Sequence, residues 1–397
     1  MELVSNRVKV LAESATIAMN QKSNDLKAKG VKVINLTVGE PDFFTPDNVK
    51  QAAKKAIDDN YSFYTAVPGY PELLTAIAAK LKRENNLEYT PAQISVANGA
   101  KHNIANIILA IVNAGDEVIV PAPYWVSYPE QVKLAEGINV ILETSIDNNY
   151  KITPAQLEKA ISPKTKAIIL CSPSNPTGAF YSKTELEALA VVLRKYPHVF
   201  IISDEIYEHI NYSGGHHSIA SCEGMYDRTA VVNGVSKGYA MTGYRIGYMA
   251  APLWLTKACN KLQGQMTTGA SSIAQRAAIE ALNGDQSSVK EFQKAFERRA
   301  KLFFDGMSSI PGIKCNKPEG AFYVFPDVSS YFGKSDGTST INNSDDLCLY
   351  LLDKAHVVGV AGSGFGHDKC IRFSFATSDE NLKEALNLIK EALALLK

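Results

Sequence analysis

Apolar residues recur along the middle of the chain in two alternating rhythms. Short β-branched runs appear at "DEVIVPAP", "KAIILCSPSNPTG", "FIISDEIY" and "TAVVNGVSK", each closing in turn-forming or polar residues. Such runs between turn signals predict buried strands. Between them lie segments with helical spacing. In "KHNIANIILAIVNAG", Ile104, Ile107, Ile108 and Ile111 form the i, i+3, i+4, i+7 stripe, and Gly115 follows its end. "YSKTELEALAVVLRKY" opens on a capping box from Ser182 to Glu185. Strand alternating with helix predicts an α/β fold, a mostly parallel sheet covered by helices on both faces.

The pattern changes toward the end of the chain. From about Ser287 a long charged amphipathic helix begins, "SSVKEFQKAFERRAKLFFDGM". "GAFYVFPDV" and "CIRFSFATS" then read as strands, and "SDDLCLYLLDKAH" and "DENLKEALNLIKEALALLK" as helices. This predicts a smaller α+β unit, with the boundary in "ALNGDQSS".

Composition narrows the partners. A chain of 397 residues is long enough for two domains or more. Its 41 basic and 41 acidic residues cancel. No polybasic stripe suggests nucleic acid, so small molecules or a second copy of the chain are the expected partners. No apolar run is long enough to span a bilayer. "MELVSNRVKVLAESATIAMN" lacks the continuous apolar core of a secretory signal, so a cytoplasmic location is expected. The six cysteines are scattered, none in a C-x-x-C pair, and read as free thiols in a reducing compartment. His216 and His217, in "NYSGGHHSIA", have no ligand-like spacing, so they are expected in a solvated loop with no metal.

Ligands of α/β sheets bind beyond the carboxyl ends of the strands. There the sequence offers Asn175 in "CSPSNPTG", Asp204 and Tyr207 in "DEIY", and Ser236 and Lys237 after "VVNGV". "ANGAK" offers the backbone amides of Ala100 and Lys101 at a helix start, and "PAPYWVSY" offers Trp125. The stretch "VSKGYAMTGYRIGY" adds Arg245 among three glycines, which a surface helix would avoid. Singly, each residue has an ordinary explanation: Asp204 could cap a helix, Trp125 could be core, Lys237 could be solvated, Arg245 could pair on the surface. Jointly they suit an anionic, aromatic, carbonyl-bearing cofactor, pyridoxal 5′-phosphate. Its aldehyde needs a lysine amine, here Lys237. Its pyridine nitrogen needs a carboxylate, Asp204, to remain protonated and act as an electron sink. Asn175 and Tyr207 can donate to its phenolic oxygen, and Trp125 can cover its ring. Ser236, Arg245 and the Ala100 and Lys101 amides can hold its phosphate.

"SPSNPTG", "SDEIYEHI", "VSKGYAMTGYRIGYM" and "IRFSFATS" together resemble the class I aminotransferases of fold type I. "ESATIAMNQKSNDLKAKGVKVINLTVGEPDF" and "PAPYWVSYP" narrow the resemblance to the bacterial aspartate aminotransferase branch called Ib. It covers nearly the whole chain from Ser14. It implies a homodimer with active sites at the subunit interface. It implies an N-terminal arm and part of the small domain in residues 1–44, a large domain in 45–284 and the rest of the small domain in 285–397. Lys237, Asp204 and Tyr207 would then be catalytic, and Tyr64 would reach the neighbouring subunit's phosphate. Gly39 and Arg372 would bind the substrate α-carboxylate, with Asn175 and Trp125 also touching substrate. Lys101, helped by Thr16, would take a distal carboxylate. The implied reaction moves an amino group from L-aspartate to 2-oxoglutarate, giving oxaloacetate and L-glutamate. Prephenate transamination, another aminotransferase specificity, or carbon–sulfur lyase chemistry are the alternatives. Two positions depart from the family pattern. Gly234 stands where many relatives carry serine, and "QGQMTTGASSIAQ" lacks the arginine that the animal-type branch uses. A cofactor-sensing transcription regulator would need a DNA-binding domain, and a nicotinamide-dependent oxidoreductase would need G-x-G-x-x-G, which is absent after the first strands.

Overall fold

Every inner strand of the main sheet is apolar on both sides, and the packing shows why. A computed structural model describes residues 3–13 and 15–397, and the side chains of residues 15–18 lie outside that description. Its strands are β1 (Ile34–Asn35), β2 (Ile94–Ala97), β3 (Glu117–Ala122), β4 (Ile138–Glu143), β5 (Thr165–Cys171), β6 (Phe200–Asp204), β7 (Thr229–Gly234) and β8 (Gly247–Ala250). Four follow in the last third: β9 (Tyr323–Val324), β10 (Val357–Val358), β11 (Val360–Ala361) and β12 (Ile371–Ser374). The main sheet has the order β2-β8-β7-β6-β5-β3-β4. Val118 and Val120 of β3 pack on one face with Ile104, Ile107, Ile108 and Ile111 of the helix Ala100–Ile111. Ile119, between them, packs on the other face with Leu186, Leu189 and Leu193 of the helix Lys183–Arg194. Strand side chains alternate between faces, so a sheet covered on both sides needs continuous apolar runs.

Pairing is parallel from β4 through β3, β5 and β6 to β7, whereas β8 runs antiparallel to both β7 and β2. The whole of "VSKGYAMTGYRIGY" reads as a turn in sequence, but its last two residues begin β8. Because β8 alone is reversed, β2, β5, β6 and β7 all end at the same edge of the sheet.

The second unit is α+β. An antiparallel sheet in the order β11-β12-β9 packs with the helices Ser287–Ser308, Ser344–Lys354 and Asp379–Ala394. Only Tyr323 and Val324 of "GAFYVFPDV" form strand; Pro326, lacking an N–H, follows closely. The N-terminal β1 pairs in parallel with β10, and Ser374 donates its N–H to Leu36 O at 2.8 Å. The chain just before the main sheet is therefore tied to the C-terminal unit. Between the helices Ser272–Asn283 and Ser287–Ser308 the helical pattern breaks at residues 284–286. Among the described residues no helix is long and apolar enough to cross a membrane.

Candidate active site

The shared strand edge opens into a cavity of about 290 Å³. It is lined by Gly39, Ala100, Lys101, Trp125, Asn175, Asp204, Tyr207, Ser236, Lys237, Arg245 and Arg372, which sequence reading had singled out. Strand register does much of the gathering. Cys171 at the end of β5 lies opposite Asp204 at the end of β6, and Asp204 lies opposite Val232 of β7. Ser236 and Lys237 come two and three residues after β7 ends.

Asp204 is buried at 4% exposure, and burial pushes its carboxyl up to about 6. Opposing that shift, the Tyr128 hydroxyl donates to Oδ2 at 2.6 Å and the Ile206 N–H to Oδ1 at 3.2 Å. Lys237 is half-buried, and its Nζ donates to the Gly39 carbonyl at 2.5 Å. Burial lowers its amine to about 8; Glu40 opposes the shift, and Arg245 and Arg372 add to it. An amine lowered toward the neutral range and a carboxylate thus share one cavity, so a fraction of Lys237 is unprotonated near physiological pH and free to take a proton.

Arg372, on β12, is 2% exposed. Its Nη1 donates to Asn175 Oδ1 at 3.0 Å and its Nη2 to Thr37 O at 2.7 Å, while Nε has no hydrogen-bond partner among the described residues. Its guanidinium carbon lies 4.6 Å from the Tyr323 ring centroid and 4.8 Å from that of Phe365. The Tyr207 hydroxyl lies 3.5 Å from Asn175 Nδ2 and 3.0 Å from the Tyr323 hydroxyl. A buried arginine without a carboxylate partner is costly unless a ligand supplies one. Among the described residues Arg372 has no ion pair, so the site is prepared for an anion.

The far end is a backbone cradle. Arg245 has a left-handed φ of 57° and donates to Thr242 O at 2.9 Å and Asn98 O at 3.1 Å. A Cβ at Gly99 would overlap its guanidinium, and one at Gly247 would overlap the Ala100 amide nitrogen. Only glycine lets these groups approach so closely. Gly234 is explained in the same way: a Cβ there would lie 2.8 Å from Ile246 O, across the β7–β8 pair. Cations and backbone amides around an anion-sized space, a low-pKa lysine and a buried carboxylate opposite it fit pyridoxal phosphate. Lys101 Nζ lies 4.8 Å from the Trp125 ring centroid, and desolvation and Arg245 hold its amine below the usual lysine range.

Tyr64, expected to reach the neighbouring subunit's phosphate, lies outside its own chain's cavity and is 95% exposed. The Thr16 side chain lies outside the described residues. His216 is not solvated: its side chain is 7% exposed and its Nε2 lies 2.7 Å from Glu205 Oε2. A buried carboxylate draws it in, whereas His217 remains exposed. Sequence reading missed Tyr128 and Tyr323. Tyr128 stands three residues after Trp125, entering the helix Ser127–Leu134, and that spacing was the available signal.

Residues 31–389 match the family model "Aminotransferase class I and II". A bifunctional aspartate aminotransferase and glutamate/aspartate-prephenate aminotransferase of Petunia hybrida is 48% identical over 399 residues, spanning 99% of this chain and 83% of that one. The aspartate aminotransferase of Rhizobium meliloti superposes with a TM-score of 0.97 at 43% identity over all of both chains. That of Thermus thermophilus, solved with maleate, gives 0.93 at 40% identity, covering 99% of this chain and 100% of its own.

Proposed function

Since the chain belongs to the class I and II aminotransferases and is a pyridoxal-phosphate-dependent enzyme, we propose that it transfers the amino group of L-aspartate to 2-oxoglutarate, giving oxaloacetate and L-glutamate. The observation that carries this is the pair of cations Arg372 and Lys101, both lining the cavity and neither ion-paired to a carboxylate among the described residues. A substrate with two carboxylates suits them. The maleate named with the Thermus thermophilus aspartate aminotransferase is also a dicarboxylate.

When bound, pyridoxal phosphate supplies an aldehyde for the amino group and a ring that spreads the electron pair left on the substrate carbon. Ser236, Arg245 and the amides of Ala100 and Lys101 hold the phosphate, joined by Tyr64 of the partner subunit in a homodimer. Asp204 keeps a proton on the ring nitrogen, and Tyr128 steadies the Asp204 charge. Tyr207 and Asn175 donate to the phenolic oxygen, and Trp125 covers the ring. Arg372 and Gly39 bind the α-carboxylate, with Asn175 alongside. Lys101 and Thr16 bind the distal carboxylate. Lys237, neutral in part near pH 8, takes the proton from the substrate α-carbon and returns it on the other side of the exchange. The large domain is taken as residues 45–284, and the small domain as 1–44 with 285–397.

Prephenate, also a dicarboxylate, is a second acceptor favoured by the name of the Petunia relative. A panel of amino donors against 2-oxoglutarate, oxaloacetate and prephenate tests both. Lys101→Ala should cost about 1.5–3 kcal/mol of transition-state binding for aspartate, the worth of a charged hydrogen bond, with alanine turnover little changed. An equal loss for every donor, or a wild-type preference for alanine, overturns the dicarboxylate assignment.

A further inference from the structure

One buried side chain in the cavity wall has no part in the scheme above. Tyr323 is fully buried, on the two-residue strand β9. It pairs across the antiparallel ladder with Ser374, two residues beyond Arg372 on β12. Residues two apart on a strand share a face, as do directly paired residues, so Tyr323 and Arg372 emerge on one side of the small sheet. There the Tyr323 ring lies under the Arg372 guanidinium, 4.6 Å from its carbon. Its hydroxyl lies 3.0 Å from the Tyr207 hydroxyl, and a Cβ on Gly39 would come within 3.1 Å of it. A side chain at Gly39 would therefore crowd the Tyr323 hydroxyl.

A phenol has one proton to donate. If Tyr207 gave its proton to Tyr323, it could give none to the cavity. We propose that Tyr323 is a positioning residue whose hydroxyl donates to Tyr207, so that the Tyr207 proton is committed to the cofactor's phenolic oxygen. The same ring steadies Arg372. One residue of the small unit therefore governs both the phenol donor and the carboxylate-binding arginine, which Asn175 also links by accepting from Arg372 and donating to Tyr207. This rests on Tyr207 donating to the cofactor. The titratable and charged groups facing the two hydroxyls are Arg372 from β12, Cys171 from β5, and Lys237 and Asp204 across the cavity.

The test is the pH titration of bound-cofactor absorbance in the holoenzyme, for wild type, Tyr207→Phe, Tyr323→Phe and the double variant. A donor on the phenolic oxygen favours its anionic form, so weakening it raises the titration midpoint. Tyr207→Phe should raise it, and Tyr323→Phe should raise it by about 0.4–1 pH unit, the worth of one net hydrogen bond. In the Tyr207→Phe background, Tyr323→Phe should add nothing, because the effect passes through Tyr207. Tyr323→Phe keeps the ring on Arg372, so KM for aspartate should hold while kcat falls; Tyr323→Leu, which removes the ring, should raise KM as well. A Tyr323→Phe midpoint equal to wild type beside a shifted Tyr207→Phe overturns the proposal alone, as does an additive shift in the double variant. No shift in Tyr207→Phe overturns the proposal together with the donor role of Tyr207. A lowered unfolding temperature with unmoved midpoints reduces Tyr323 to packing and also overturns it.

Discussion

Asp204 and Glu208 are buried carboxylates four residues apart, and they have opposite chemistry. Asp204 faces the cavity with a tyrosine and one backbone amide as donors, and burial holds its pKa up at about 6. Glu208 is buried as deeply, which works against its charge. Yet Lys80, His209 and His216, with a hydrogen bond from Asn85, hold it far below the usual carboxylate range. Lys80 is fully buried and bonded to Glu208, and Glu205 beside it accepts from Ser203 at 2.7 Å and Ser218 at 2.6 Å as well as facing His216. Burial alone does not mark a site; a buried charge left short of partners does. The charges of the Glu205–Glu208–Lys80–His216 group pair with one another, whereas Arg372, in the group with Asp204 and Lys237, has no carboxylate partner among the described residues.

Substitutions should separate the two. On the cavity side, Lys237→Ala should lower multiple-turnover transamination about 10⁴-fold while cofactor remains bound, read by steady-state rates and absorbance. Turnover near wild type would place the proton transfer elsewhere. On the other side, Lys80→Met strands Glu208 and should cost about 3–5 kcal/mol of stability in urea unfolding, with kcat within a few-fold of wild type. Asp204→Ala should lower kcat about 10²–10³-fold. Without cofactor, Asp204→Asn should be at least as stable as the parent at pH 8. A carboxyl with a raised pKa takes up its proton earlier in the folded state, so its penalty is present above about pH 6 and fades as pH falls toward the unfolded value near 4. A loss of stability in that variant would erase the contrast. The smallest effect belongs to His216, whose pKa is raised because Glu205 outweighs the burial that opposes its charge. Its ion pair contributes fully below the unfolded value near 6.5 and is lost as pH rises through the folded value. His216→Gln should therefore cost about 1 kcal/mol near pH 6 and progressively less in alkaline buffer, followed by unfolding at a series of pH values.

The cavity was largely legible in the sequence because its residues sit where strand patterns stop. Asn175, Asp204 and Lys237 follow apolar runs, and parallel strands bring such ends to one edge. Tyr128 and Tyr323 were not legible. They act through other side chains, and the cross-strand register that puts Tyr323 beside Arg372 has no local signature. Strand β8 was missed because it lies within a glycine-rich segment that reads as turn. His216 was misread because its burial depends on Glu205, eleven residues earlier in the chain. Tyr64 illustrates a different limit. At 95% exposure, beside Phe63 at 81%, it offers no burial on which a local reading could rest.

The reversed strand β8 bears on how this chain could be rewired. Gly234 is locked opposite Gly247, so residues 235–246 leave the sheet and re-enter it at a single place, like a stirrup hung from two adjacent bars. Lys237 hangs near one bar and Arg245 near the other, and the span between them is set by the length of the strap. One inserted residue would change that span, with only the single 3-10 turn Thr242–Tyr244 between the two to take it up. New chain ends opened at Gly243 would cut the strap. Ends opened at Gly214, exposed and with open space around its Cα, would leave it whole, which makes that loop the natural opening for a circular permutant or a fused domain.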